Sequence, residues 1–203
     1  MKSRRLAQED FERAYRRGFW RKLSSWFTGQ SNELLPFDAV RERIPIRGQH
    51  YLGLKQVPIE QIVGSLGRYR DFDRAFLPRQ DRTRGRWISI DSAHYEDTIL
   101  PPIDLFKVGE IYFVRDGNHR VSVARERGQE FMDAYVIEID VSVPLTAELE
   151  LDDLELKADY ANFLEQTRLD EIRPGSQIEL TLLGEYERLL EHISVHRWYM
   201  GEN

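Results

Sequence analysis

Hydrophobic residues recur at helix and strand spacings along much of this chain. From residue 6 to residue 28 they return every three or four positions, the period of an amphipathic helix, and arginines fill the other face. Residues 51–59 and 111–114 are short apolar runs that suit strands, and residues 132–141 alternate as a half-exposed strand does. The pattern predicts an α/β protein in the broad, α+β sense: a small mixed sheet with helices.

The other segments are less regular. We interpret residues 33–56 as irregular, because Pro36, Pro45 and Gly48 interrupt them. Residues 74–86 are interpreted as a basic loop with little apolar content. Four further helices are predicted. The first starts at Asp91 or Ser92 and ends at Thr98, and the second follows residue 117 and ends at Gly128. The other two cover residues 158–167 and 185–200.

These elements suggest a division of the chain into three segments. Residues 1–50 would hold a basic amphipathic helix and a linker, and residues 51–141 the sheet domain. Residues 142–203 would form an acidic helical arm, because acidic side chains separate its leucines.

Composition narrows the class of protein. The chain has 203 residues and no cysteine, which removes disulfides, thiolate nucleophiles and cysteine metal sites. No apolar run is long enough to cross a bilayer, and the start of the chain lacks the apolar core of a secretory signal. We therefore expect a cytoplasmic protein with no membrane partner.

Charge is distributed unevenly. Residues 1–90 hold 19 Lys and Arg against 10 Asp and Glu, whereas residues 91–203 hold 10 against 25. The basic half could face nucleic acid, or the two halves could attract each other, within one chain or in a homodimer. The helix over residues 6–28 could likewise lie on a membrane surface or on nucleic acid. We favour the alternative in which its aromatic side chains dock on the domain.

The densest chemistry lies at Asp116-Gly117-Asn118-His119-Arg120, between a predicted strand and a predicted helix. An Asp-Gly pair is common in ordinary turns. However, Arg120 would stand at a helix N-terminus, where the macrodipole is already positive. A bound anion would offset that cost, and free N–H groups with a guanidinium are a recurrent phosphate site.

A second glycine-rich segment runs from Gly64 to Arg70. Ser65, Arg68 and Arg70 stand there around two glycines, and such a loop could also contact phosphate. Most glycine-rich turns only reverse the chain direction, so this signal is weak alone.

The order of elements from Pro101 to Val136 resembles the ParB/sulfiredoxin superfamily. The partition proteins have Gly-Glu-Arg-Arg at positions matching Gly117 to Arg120, and sulfiredoxin has Gly-Gly-Cys-His-Arg at those matching Asp116 to Arg120. The free-serine kinases have Asp-Gly-His-Thr-Arg, also starting at Asp116. The likeness covers roughly residues 51–141 and is most specific over 101–136.

The resemblance implies a nucleotide site. Gly117, Asn118, His119 and Arg120 would contact the phosphates of CTP or ATP, with Mg²⁺ held mainly by those phosphates, and Arg68 or Arg70 would be a second phosphate ligand. The function implied is a nucleotide-binding, DNA-associated or transcription-regulating factor. The alternative is a phosphotransferase, nuclease or nucleotide hydrolase on the same fold, with Asp116 as the nearest candidate for a catalytic base and Glu60 and Asp71 as further candidates.

Departures from those families limit the chemistry. Asn118 stands where sulfiredoxin carries its cysteine, which excludes reduction of a sulfinic acid by this chain. The acidic C-terminal segment does not match the helix-turn-helix that follows the domain in partition proteins. His192 and His196 have a metal-binding spacing but no third ligand nearby, so we expect no metal site there. We expect the four tryptophans to be packing anchors.

Overall fold

A computed structural model describes residues 2–28 and 32–201 of the chain. The strands are β1 (Leu35–Pro36), β2 (Ile46–Pro58), β3 (Ile62–Ser65), β4 (Ile103–Val108), β5 (Ile111–Asp116) and β6 (Phe131–Val141). The α-helices are α1 (Lys2–Thr28), α2 (Phe37–Arg43), α3 (Arg84–Tyr95), α4 (Asn118–Glu126), α5 (Leu154–Thr167), α6 (Leu169–Ile172) and α7 (Glu185–Tyr199).

The strands form one mixed sheet in the order β1-β3-β5-β4-β6-β2. Strands β4 and β5 make an antiparallel hairpin, and β2 and β6 pair in antiparallel fashion at one edge. The remaining neighbours are parallel. The α/β class with a mixed sheet is therefore confirmed.

One face of the sheet is covered by α1, α3 and α4. Phe11 of α1 meets Trp87 of α3 edge to face, with ring centres 5.6 Å apart. The Trp87 indole N–H donates to the Ser122 hydroxyl of α4 at 2.9 Å, and Val114 of β5 joins the same buried cluster. This packing fixes the start of α4 above the central strands.

The other face carries the acidic C-terminal segment. Phe113 of β5 belongs to this second cluster, because successive side chains of a strand point to opposite faces. Phe163 of α5 and Tyr186 of α7 are buried in it, and the Tyr186 hydroxyl donates to the Ile178 carbonyl at 2.7 Å. Residues 142–186 therefore pack directly on the sheet domain.

The predicted basic loop at residues 74–86 has no helix or strand from residue 74 to residue 80, but it is better packed than its composition indicates. Phe76 and Leu77 are buried in the first core cluster, so this segment is anchored by hydrophobic burial. Helix α3 also starts at Arg84, upstream of the predicted Asp91, because Trp87 and Ile88 supply a buried face.

The segment before residue 51 contains regular structure that the sequence did not indicate. Strand β1 and helix α2 lie there, and β2 already begins at Ile46. Phe37 of α2 stacks on Phe106 of β4 at 4.6 Å. The sheet thus spans residues 35 to 141, and the three-segment division of the chain stays a sequence prediction.

The tryptophan prediction is correct for one residue of four. Trp87 is fully buried, whereas Trp20, Trp26 and Trp198 are largely exposed. The expected docking of α1 holds for its first half, where Phe11 is buried, and fails for its second half. Within the described ranges, no helix combines the length and apolar character needed to cross a bilayer.

Candidate phosphate-binding site

The turn before α4 requires glycine. Gly117 has φ +115°, a conformation that side-chain-bearing residues rarely adopt, and a Cβ there would lie 2.9 Å from Ile103 Cβ and closer still to its Cγ2. The first helical bond runs from the Val121 N–H to the Gly117 carbonyl at 3.0 Å. The N–H groups of the first helical turn therefore have no partner within the helix, and no side chain caps them.

His119 is buried beside this helix start. Its ring meets the ring of Phe72 edge to face, with centres 5.2 Å apart. Burial lowers the pKa of His119 to about 4, and the positive charges of Arg68 and Arg86 contribute to the shift. His119 is consequently neutral near pH 7, next to two guanidinium groups.

The arginines around His119 outnumber the acidic groups. The carboxylate of Asp71 is buried and pairs with Arg82, whose Nε lies 3.0 Å from Oδ1. The Arg68 guanidinium reaches the other oxygen of Asp71 at 3.5 Å. Arg86 forms no ion pair with any residue in the described ranges. Asp116 also acts on His119 and is paired with Arg120, so two carboxylates stand against four guanidinium groups here, an excess of positive charge.

Asn118 adds an unpartnered polar group. Its side chain is buried at the first position of α4, and its Oδ1 has no hydrogen-bond partner among the described residues. A buried polar atom without a partner is costly. Since rotation of the amide exchanges oxygen and nitrogen, this side chain can offer either an acceptor or a donor to a ligand.

Arg120 has partners inside the fold. Its Nη1 donates to the carbonyls of Pro101 and Pro102 at 2.6 and 2.8 Å, and its Nη2 donates to Asp116 Oδ2 at 2.6 Å. These bonds tie the segment before β4 to the start of α4. Arg120 lines a cavity of about 260 Å³ with His94 and other residues, and its Nε lies 3.3 Å from the position that a Cβ at Gly117 would take.

The residues of the second predicted loop have different positions. Ser65 is fully buried, and its hydroxyl contacts the Val114 carbonyl at 3.1 Å and the Gly67 carbonyl. The charge of Arg68 contributes to the lowered pKa of His119, and Arg70 lies over the Tyr69 ring, 5.7 Å from its centre. Arg68 is therefore close enough to influence His119, whereas the Ser65 hydroxyl is occupied by backbone carbonyls.

Asp71, Arg82 and Arg86 were not among the predicted ligands. The signal for the two arginines was the run of arginines from 79 to 86 in the predicted basic loop, whereas Asp71 was a candidate catalytic base. Which arginines have acidic partners depends on contacts between distant segments, such as Arg82 with Asp71 and Arg84 with Glu12. Sequence spacing does not show this.

The acidic side chains here do not fit a magnesium ion held by the protein. Asp71 is engaged by Arg68 and Arg82, and Asp116 by Arg120. Among residues 2–28 and 32–201, no three His, Cys, Asp or Glu side chains group as metal ligands. The predicted Mg²⁺ would therefore depend on oxygens of the nucleotide itself.

The fold and site define an α/β protein with a cationic cluster at a helix N-terminus. No protein-family model and no curated protein matches the chain. Among solved structures, sulfiredoxin from Arabidopsis thaliana is similar to part of it, with 19% identity over 41% of this chain and 82% of that chain and a TM-score of 0.31. The likeness concerns a part of the chain and assigns no activity to it.

Proposed function

We propose that this protein binds the phosphates of a nucleoside triphosphate at the start of α4. The observation that carries the proposal is the uncapped, buried start of α4, where Asn118 Oδ1 has no partner among the described residues and the charges of Arg68 and Arg86 act on buried His119. Positive charge gathered around a buried helix N-terminus is unfavourable in the free protein. A polyphosphate would remove that cost.

The groups available suit an anion with several charged oxygens. The free N–H groups after Gly117 would meet one phosphate, and the guanidinium groups of Arg68 and Arg86 would meet its neighbours. Asn118 would gain the hydrogen bond that it lacks. Arg120 and Ser65 are outside this proposed set, because Arg120 bonds to two carbonyls and Asp116 and the Ser65 hydroxyl contacts the Val114 carbonyl. Arg70 is outside it because its guanidinium lies over the Tyr69 ring.

A binding role fits the site better than catalysis. Asp116, the predicted base, is exposed and has one carboxylate oxygen bonded to Arg120. Many arginines of the basic half are already paired, among them Arg13 and Arg17 with Glu126. We therefore propose a nucleotide-responsive regulatory protein, with nucleic acid as a further partner to be tested directly.

Calorimetric titration with ATP, CTP and pyrophosphate, each with and without Mg²⁺, tests the proposal. We expect binding, and we expect Arg86→Ala to weaken it about tenfold or more, since a charge-assisted bond to phosphate contributes about 1.5–3 kcal/mol. Arg188→Ala is the matched control, because Arg188 is an exposed arginine on α7. The fold should tolerate Arg86→Ala, since Arg86 is exposed.

Two results would refute the proposed function. One is no heat of binding for any of the three ligands at millimolar concentration. The other is an equal loss of affinity in Arg86→Ala and Arg188→Ala, which would indicate general charge attraction. A short double-stranded oligonucleotide added in parallel separates nucleotide binding from nucleic-acid binding, because only the latter should lose affinity steeply with added salt.

A further inference from the structure

The second half of α1 exposes a cluster of aromatic side chains. The exposed fractions are 61% for Phe19, 65% for Trp20, 86% for Trp26 and 82% for Phe27. Residues 19, 23, 26 and 27 share one stripe of a helix, with residue 20 at its margin. The first half of α1 is anchored by Phe11, so the exposed half projects from a fixed base. Apolar clusters of this kind mark interaction sites.

A groove lies beside this part of α1. Its volume is about 830 Å³. Tyr15, Phe19 and Trp26 form an aromatic wall, and Glu150 and Asp152 stand among the residues that line the groove beyond the helix. The helix side of the groove is therefore aromatic with one cation, Lys22, and the opposite side carries Glu150 and Asp152 together with the Arg79–Glu33 ion pair.

The charges of the helix and of the groove are opposite. From residue 13 to residue 32 the sequence has no acidic residue. Arg16 and Lys22 form no ion pair within the described part of the chain, and Glu150 and Asp152 form none either. Thus four charged side chains near one aromatic cluster form no ion pair within the described residues.

We propose that the occupant of this groove is α1 of a second copy of the chain, in a two-fold symmetric dimer. In such a dimer the same surface serves both partners, so it must be complementary to itself. On this surface the helix carries aromatic and cationic side chains. The groove beside it carries aromatic and acidic side chains. When the α1 helices of two copies cross, each cationic helix lies beside Glu150 and Asp152 of the other copy.

The exposed area agrees with a weak but specific dimer. Covering the four aromatic side chains removes roughly 600 Å² per copy, since each buries 150–250 Å² when fully covered. The total of about 1,200 Å² is at the lower end of specific interfaces. We expect dissociation that increases with salt, because the charged pairs lie at the rim.

Other anionic partners fit this surface less well. A lipid surface or a nucleic acid would be attracted by Arg16 and Lys22 but repelled by Glu150 and Asp152. A second copy accounts for both sets of charges and for the aromatic cluster between them.

Sedimentation velocity of the full chain tests the proposal over a range of protein and salt concentrations. We expect a monomer–dimer equilibrium, and we expect Trp20→Ala/Trp26→Ala to weaken it at least tenfold. Trp198→Ala is the matched control, because Trp198 is 67% exposed but lies on α7. A thermal melt of each variant checks folding, which should not change because these side chains are exposed.

Reversal of charge gives the sharper test. Arg16→Glu/Lys22→Glu and Glu150→Lys/Asp152→Lys should each abolish self-association, because both crossed contacts then join like charges. An equimolar mixture of the two variants should associate again, because both crossed contacts of the mixed dimer join opposite charges. A monomeric wild-type chain at high micromolar concentration, a mixture that stays monomeric, or binding to anionic vesicles without self-association would each overturn the proposal.

Discussion

Replacing Gly117 with alanine should lower the free energy of unfolding by roughly 3 kcal/mol or more. Two costs add at this position. The backbone has φ +115°, and the new Cβ would lie 2.9 Å from Ile103 Cβ and closer to Cγ2. Ile103 is fully buried in β4, so it has little room to move. Urea denaturation followed by circular dichroism measures the loss.

Gly128→Ala provides the matched control. Gly128 also has a positive φ, +68°, but a Cβ there meets nothing within 4 Å. Its substitution should cost only about 1 kcal/mol, the conformational strain alone. Equal losses at the two glycines would show that the contact with Ile103 does not determine the need for glycine at residue 117.

Removal of the Arg125 side chain should be comparably severe, with a loss of roughly 3 kcal/mol for Arg125→Ala. Burial lowers the pKa of Arg125 to about 10. Its Nη2 donates to the carbonyls of Ile59 and Ile62 at 2.7 and 2.8 Å, and its guanidinium carbon lies 5.2 Å from the centre of the Phe76 ring. The side chain thus joins α4 to the segment that leads into β3.

Arg125→Met separates packing from hydrogen bonding. Methionine keeps apolar contact with Phe76 but supplies no donor to the Ile59 and Ile62 carbonyls. We expect it to recover only part of the stability lost in Arg125→Ala, measured by the same urea denaturation. Full recovery would mean that the carbonyl contacts contribute little.

Elements defined by local patterns were predictable from the sequence. The alternation over residues 132–141 corresponds to β6, and the Asp-Gly turn between a strand and a helix corresponds to β5, Gly117 and α4. The recurrence of hydrophobic residues every three to four positions over residues 6–28 likewise corresponds to a helix, α1. In each case the hydrophobic pattern and the residues that end the element lie within one continuous stretch of the sequence.

Features that depend on contacts between distant segments were not predictable. Whether an aromatic stripe is buried depends on what lies opposite, so Phe11 and Trp26 of one helix have opposite environments. The same holds for cations. Arg120, whose role as a phosphate ligand stays a prediction, contacts the Pro101 carbonyl, and Arg86, from the predicted basic loop, contributes to the lowered pKa of His119.

The most direct test of the central claim is a titration of His119 by NMR, with and without saturating pyrophosphate. The free protein should give a pKa for His119 of about 4. Pyrophosphate beside Arg68 and Arg86 should raise it by about one unit or more, because a nearby negative charge favours the imidazolium form. The shift should shrink in Arg86→Ala and persist in Arg188→Ala. An unchanged pKa of His119 in saturating pyrophosphate would contradict the phosphate site.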